Sequence, residues 1–236
     1  MLRLLFWRRK KEPNQAGGGG LRLLRTAAVL DVETTGLDPR RDEIIELAIV
    51  LFQFDPAGAI VRDSVEEYVG LREPSIPIPP EATRVHGLTD RDVAGRRLDE
   101  ARIRALAARA EFIVAHNARF DRPFVERLLP DVFRGKTWLC TCHGVDWKAR
   151  GAPSKSLPVL TRHFGIRHTA HRALGDARAT LALLRVRDPD GRTVLAELLE
   201  RAGRFDVSLE RNGGAPAPAE PLEKDLAARV KRRHQG

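Results

Sequence analysis

The chain has 236 residues, with 41 Lys and Arg against 32 Asp and Glu, a net charge of +9 at pH 7, and two cysteines. That length suits one well-buried domain and falls short of two ordinary ones, and two cysteines cannot build a disulfide scaffold. The charge is uneven: residues 1–26 carry +6, residues 207–236 carry +2, and the residues between carry the remaining +1. The basic balance therefore belongs mostly to the ends, where it attracts phosphates in a salt-dependent way.

Residues 1–25 read as a basic flexible arm, with the four glycines 17–20 as its linker. The apolar run at 2–7 is broken by Arg3, is too short to span a bilayer, and precedes the cluster Arg8-Arg9-Lys10-Lys11, the reverse of a secretory leader. No transmembrane segment and a cytoplasmic location are expected.

A strand is predicted over 27–33, where the apolar run Ala27-Ala28-Val29-Leu30 stops at Asp31-Val32-Glu33. Residues i and i+2 of a strand share a face, so Asp31 and Glu33 project in parallel, roughly 6.5–7 Å apart along the backbone. Paired carboxylates on a rigid strand end suit hard Mg²⁺ or Mn²⁺. Taken alone, such a pair more often marks a strand ending in a solvated acidic turn. Strands at 44–54 and 60–69 follow as antiparallel neighbours, joined by the turns at Asp38-Pro39 and Asp55-Pro56-Ala57-Gly58. The stretch 83–90 is turn-rich and sets Val85 and His86 among apolar neighbours. The alternative reading of the pair is a turn packed on the core.

A helix at 97–109 and a strand at 111–116 lead into His116-Asn117-Ala118-Arg119-Phe120-Asp121. Asp121 then falls in the first turns of a helix over 118–129, the usual position for function in an α/β fold. A strand at 136–141 requires a parallel crossover from its predecessor. Cys140 and Cys142 beside it are not expected to bond to each other, and with His143 they lack the further ligands of a tetrahedral metal site. Helices follow at 155–164, 173–187 and 192–202. His171 and Asp176 are five apart, about 140° on one ideal helix, so Asp176 belongs on the helix and His171 at or before its start, on a segment free to swing. Residues 206–236 form either a small helical appendage, with Leu222, Leu226 and Val230 at helical spacing, or a basic tail.

Taken in order, these clusters resemble the motifs of the DEDDh exonucleases: Asp31 and Glu33, the Val85-His86-Gly87-Leu88-Thr89 block, Asp121, and His171 with Asp176. This family holds the proofreading epsilon subunits of bacterial DNA polymerase III and their stand-alone relatives, and the resemblance covers about residues 26–187. It implies an α/β, ribonuclease H-like fold over 26–205, with a central five-stranded mixed sheet flanked by helices. It also implies two-metal hydrolysis of phosphodiester bonds, 3′ to 5′, at single-stranded or mismatched DNA ends in proofreading, replication or repair.

The same resemblance places two divalent ions, Mg²⁺ or Mn²⁺, on Asp31, Glu33, Asp121 and Asp176, and makes His171 the general base, whose ordinary pKa of about 6.5 suits neutral pH. Thr34, Thr35, Gly36, Val85, His86 and Asn117 match positions that meet the terminal nucleotides. A DNA polymerase subunit is an implied partner, but Trp138-Leu139-Cys140-Thr141 departs from the epsilon pattern, which has an aspartate before the threonine. The run from Trp138 to Leu160 instead resembles a stand-alone subgroup. RNA trimming, in the manner of ribonuclease T or oligoribonuclease, would use the same five residues. A scaffold that grips DNA ends without cutting is the non-enzymatic alternative, and the intact acids oppose it.

The uneven charge generates a prediction. Each phosphate neutralised on a single strand contributes about 0.7 to the salt slope, so an arm making three or four such contacts adds roughly 2–3. Deleting residues 1–20 is expected to raise KM for long DNA at low salt and to flatten its salt dependence, with turnover at saturating substrate unchanged. If affinity and slope persist while binding to a protein partner or to anionic vesicles is lost, the arm is a docking element.

Overall fold

The computed structural model describes residues 24–209, so most of the arm and the tail from residue 210 lie outside it. Strands β1 (Arg25–Thr34), β2 (Ile44–Phe54) and β3 (Ile60–Leu71) form an antiparallel meander. On the other side of β1, β4 (Phe112–Ala115) and β5 (Thr137–Cys140) add in parallel, giving the order β3-β2-β1-β4-β5. This is the five-stranded mixed sheet expected from the sequence.

The two-residue period of β1 decides which layer each side chain meets. Ala27 and Val29 enter a core shared with α6 (Leu157–His163), α7 (Ala173–Leu183) and α8 (Val194–Leu209). Ala28, Leu30 and Val32 face the opposite core, against α3 (Glu100–Arg109), α4 (Ala118–Leu128) and α5 (Pro130–Phe133). Both faces of the central strands are thus covered, which is why β1 and β2 read as nearly continuous apolar runs. Asp31 and Glu33 continue the odd-numbered row and so lie on the α7 side. Beyond Ala115 β4 ends, and the chain turns through Asn117, at φ +79°, into α4. The carboxyl ends of β1 and β4 therefore open side by side, the crevice where α/β sheets carry ligands.

The expected elements are present with shifted ends. The strand read as 27–33 extends over Arg25–Thr34, the helix read as 173–187 stops at Leu183, and that read as 192–202 runs over Val194–Leu209. The stretch 83–90 is corrected: it holds the end of α1 (Pro80–His86) and the start of α2 (Asp90–Val93). Proline at the first helical position starts α1, and Gly87 at φ +78° closes it with its N–H on the Thr83 carbonyl. Cys140 ends β5 and Cys142 lies in the turn beyond, and no disulfide joins them. Among the described residues, no helix is long and apolar enough to cross a membrane.

Leu30 is fully buried beneath α3 and α4, one residue before the acids. Leu30→Ala is expected to lower unfolding stability by about 2–5 kcal/mol in urea titrations, because the sheet cannot collapse onto the void. A loss below about 0.5 kcal/mol would mean that this layer is not packed as described.

Candidate active site

Asp31 and Glu33 leave β1 on its α7 face, and Asp176 projects from the first turn of α7. One carboxylate oxygen from each lies within 4.8 Å of the others. Asp121 arrives from the opposite layer. It is buried in the first turn of α4, and its Oδ1 accepts the Val32 N–H at 3.2 Å. That bond lies between the two metal-site candidates on β1, past the last β1–β4 register pair at Val29 and Val114, so Asp121 takes over where the ladder stops.

The turn after β1 is closed by its own side chains. The Thr34 hydroxyl donates to the Gly36 carbonyl at 2.6 Å, and the Thr35 hydroxyl accepts the Glu43 N–H at 2.9 Å. A Cβ on Gly36 would come within 2.4 Å of the Asp42 carboxylate, which itself accepts the Asp38 N–H at 2.8 Å. A side chain at Gly36 would have to displace that carboxylate. Arg127 of α4 ties the loop down through the Asp42 carbonyl at 2.6 Å and the Pro39 carbonyl.

Histidines surround the acids in different states of restraint. His171 has φ +63°, and its N–H points to Asp176 Oδ1 at 3.3 Å. His168 Nε2 meets the same oxygen at 2.5 Å. The segment expected to swing is therefore tethered at both residues. His116 is held between Thr141 Oγ1 at 2.9 Å and the Lys155 carbonyl at 3.0 Å. His86 is 5% exposed, and its Nδ1 accepts the Leu88 N–H at 3.0 Å, which places the ring proton on Nε2. Burial pushes His86 below the ordinary histidine value of 6.5, against the raising influence of Glu46 and the Thr34 backbone.

All eleven residues singled out from the sequence line one pocket of about 340 Å³. They are Asp31, Glu33, Thr34, Thr35, Gly36, Val85, His86, Asn117, Asp121, His171 and Asp176. Sequence reasoning missed Phe120, which also lines the pocket, and two residues behind it, His168 and Glu46. Phe120 lies directly before Asp121 in the stretch His116–Asp121. Glu46, a charge inside the apolar run of β2, was the readable signal of a buried acid with a partner elsewhere. The oxygen-rich donor set fits a hard divalent cation, with Asp31, Glu33 and Asp176 able to hold one directly.

Residues 28–184 match the model of the exonuclease family RNase_T. The chain belongs to that family of exonucleases. The chain is 34% identical over 172 residues to the PolC-type DNA polymerase III of Thermotoga maritima, covering 66% of this chain and 11% of that protein. Against the DNA polymerase III epsilon subunit of Treponema pallidum it is 32% identical over 170 residues, covering 65% and 72% of the two chains. Ribonuclease T of Escherichia coli is 28% identical over 114 residues, 41% of this chain and 51% of that protein. The fold matches E. coli exonuclease I in complex with a dT13 oligonucleotide, at TM-score 0.56 and 22% identity over 80% of this chain and 44% of that one. Both the sheet and its covering helices are thus those of the ribonuclease H-like fold.

His86 gives the folded chain a pH-dependent stability. Its folded pKa lies below the unfolded value, so between the two the unfolded chain binds a proton that the folded chain does not. The sign makes stability fall as pH drops below about 6.5. His86→Asn, which keeps an acceptor for the Leu88 N–H, is expected to remove that decline. Urea titrations in chelator between about pH 7.5 and pH 5 should show the stability gap between wild type and variant narrowing on the acid side. A constant gap would mean that His86 does not titrate differently on folding.

Proposed function

We propose that this chain is a metal-dependent 3′–5′ exonuclease acting on DNA ends. The observation that carries the reading is the meeting of Asp31, Glu33 and Asp176 within 4.8 Å, in a pocket also lined by Asp121 and His171. Asp31, Glu33 and Asp176 would hold one divalent ion, and Asp31 with Asp121 would support a second. Bound there, such ions supply charge neutralisation at the phosphoryl oxygens and a more acidic water.

The protein's own residues then divide the work. His171 accepts the proton of the attacking water, a role that suits imidazole because its ordinary range lies close to neutral pH. Asp176 orients His171 through its backbone N–H, and His168 fixes Asp176 in turn. Gly36 leaves bare backbone for close approach of the terminal nucleotide, while Val85 and Phe120 offer apolar walls to its base. Asn117 sits where β4 gives way to α4, close to Asp121, and contacts the phosphate. Similarity to an epsilon subunit and to a PolC-type polymerase favours DNA and a role beside a polymerase. Similarity to ribonuclease T keeps short RNA as the second substrate to test.

The test uses single-stranded DNA, a mismatched primer end and short RNA, each labelled at one end, with Mg²⁺, Mn²⁺ or excess chelator. Shortening from the 3′ end, abolished by chelator and faster on DNA, is expected. Loss from the 5′ end, or full activity in chelator, would refute the reading. His171→Ala should lower turnover by roughly 10²–10⁴ while DNA binding persists, and Asp31→Ala should remove almost all activity. Wild-type turnover in His171→Ala, with chemistry rate-limiting, would exclude His171 as the base.

A further inference from the structure

Glu46 is the charged residue in the apolar run of β2, and its side chain is 1% exposed. It stands directly across the β1–β2 ladder from Glu33, on the face that carries the acids of the site. Like charges so opposed repel, and a buried carboxylate needs donors. Glu46 has them. Arg172 gives Nη2 at 2.6 Å and Nε at 3.1 Å to both oxygens, and the Ala173 N–H at the start of α7 gives a further bond at 2.8 Å.

Both anchored residues follow His171 directly. His171 itself occupies the left-handed region at φ +63°, which a side-chain-bearing residue keeps only under restraint from its surroundings. The restraint comes from two directions: Asp176 takes the His171 N–H, and Glu46 takes Arg172 and Ala173. Arg172 also feels Glu33 and Asp92, which with its bonds to Glu46 hold it above the ordinary arginine range. The chain on the downstream side of His171 therefore has its position set by one buried acid.

We propose that Glu46 is a positioning residue that fixes His171 at the pocket through Arg172 and the first turn of α7, without touching substrate. The proposal rests on the general-base reading of His171. Glu46 makes its contacts from a central strand, so its carboxylate is held as rigidly as the metal-site acids of β1.

Kinetics of wild type, Glu46→Gln, His171→Ala and the double variant, at saturating Mg²⁺ and single-stranded DNA, test it. Displacing a base by about an ångström costs on the order of 10- to 100-fold, so Glu46→Gln should lower kcat by that factor and leave KM within about twofold. Added to His171→Ala it should cost nothing further, because the residue it positions is gone. Arg172→Gln, which removes the charge from the half-exposed partner and keeps an amide donor, should show the same pattern. Independently of activity, the His171 ring resonance of histidine-labelled protein, assigned by its loss in His171→Ala, should shift or broaden in Glu46→Gln. Undiminished kcat in both Glu46→Gln and Arg172→Gln, or losses that multiply in the double variant, would overturn the proposal. If His171→Ala alone kept full kcat, the general-base reading would fail, and an unmoved His171 resonance in Glu46→Gln would separately refute the positioning.

Discussion

Mutual repulsion among Asp31, Glu33 and Asp176, whose oxygens gather within 4.8 Å, is the constraint on which the surrounding structure depends. Two unit charges at about 4 Å repel by about 1 kcal/mol in bulk water and about 4 kcal/mol near a protein surface. A flexible loop would relieve that by moving apart. Here the acids cannot separate, because β1 is held between β2 and β4 and buried on both faces. A divalent cation bound among them would meet the resulting demand for positive charge.

Compensation is built in around the cluster. Val32 donates its N–H to Asp121 between the two β1 acids, His168 and the His171 N–H share Asp176, and Arg172 covers Glu46 across the ladder from Glu33. The devices come from both sides of the sheet: Asp121 from α4 on one, and His168, His171 and Arg172 from the segment leading into α7 on the other. The opposed cores are what bring them together: α4 lies on one face and α7 on the other, and their first turns meet over the end of β1.

Much of this was legible because the signals were local. The alternation in β1 placed Asp31 and Glu33 on one face, and five-residue spacing placed Asp176 on α7 with His171 before it. What escaped was non-local or ambiguous. Glu46 is one charge in an apolar run, and its partner Arg172 lies 126 residues away. His168 carries no spacing rule linking it to Asp176. The helix α1 opens at Pro80, a residue type that marks turns as well as helix starts, and its end lies within the stretch 83–90 that reads as turn-rich. The tether on His171 depends on backbone bonds from outside the segment, which no periodicity reveals.

A fixed cluster of acids has two consequences, one with metal and one without. Thermal unfolding of wild type and Asp31→Asn, each in chelator and in saturating Mn²⁺, measures both. A ligand that binds only the folded state raises its stability, so wild type should melt at higher temperature in Mn²⁺ than in chelator. Asp31→Asn should equal or exceed wild type in chelator, since one repelling charge is gone, and should gain nothing from Mn²⁺. A wild type that Mn²⁺ leaves unmoved, or an Asp31→Asn that gains the same shift, would contradict the account.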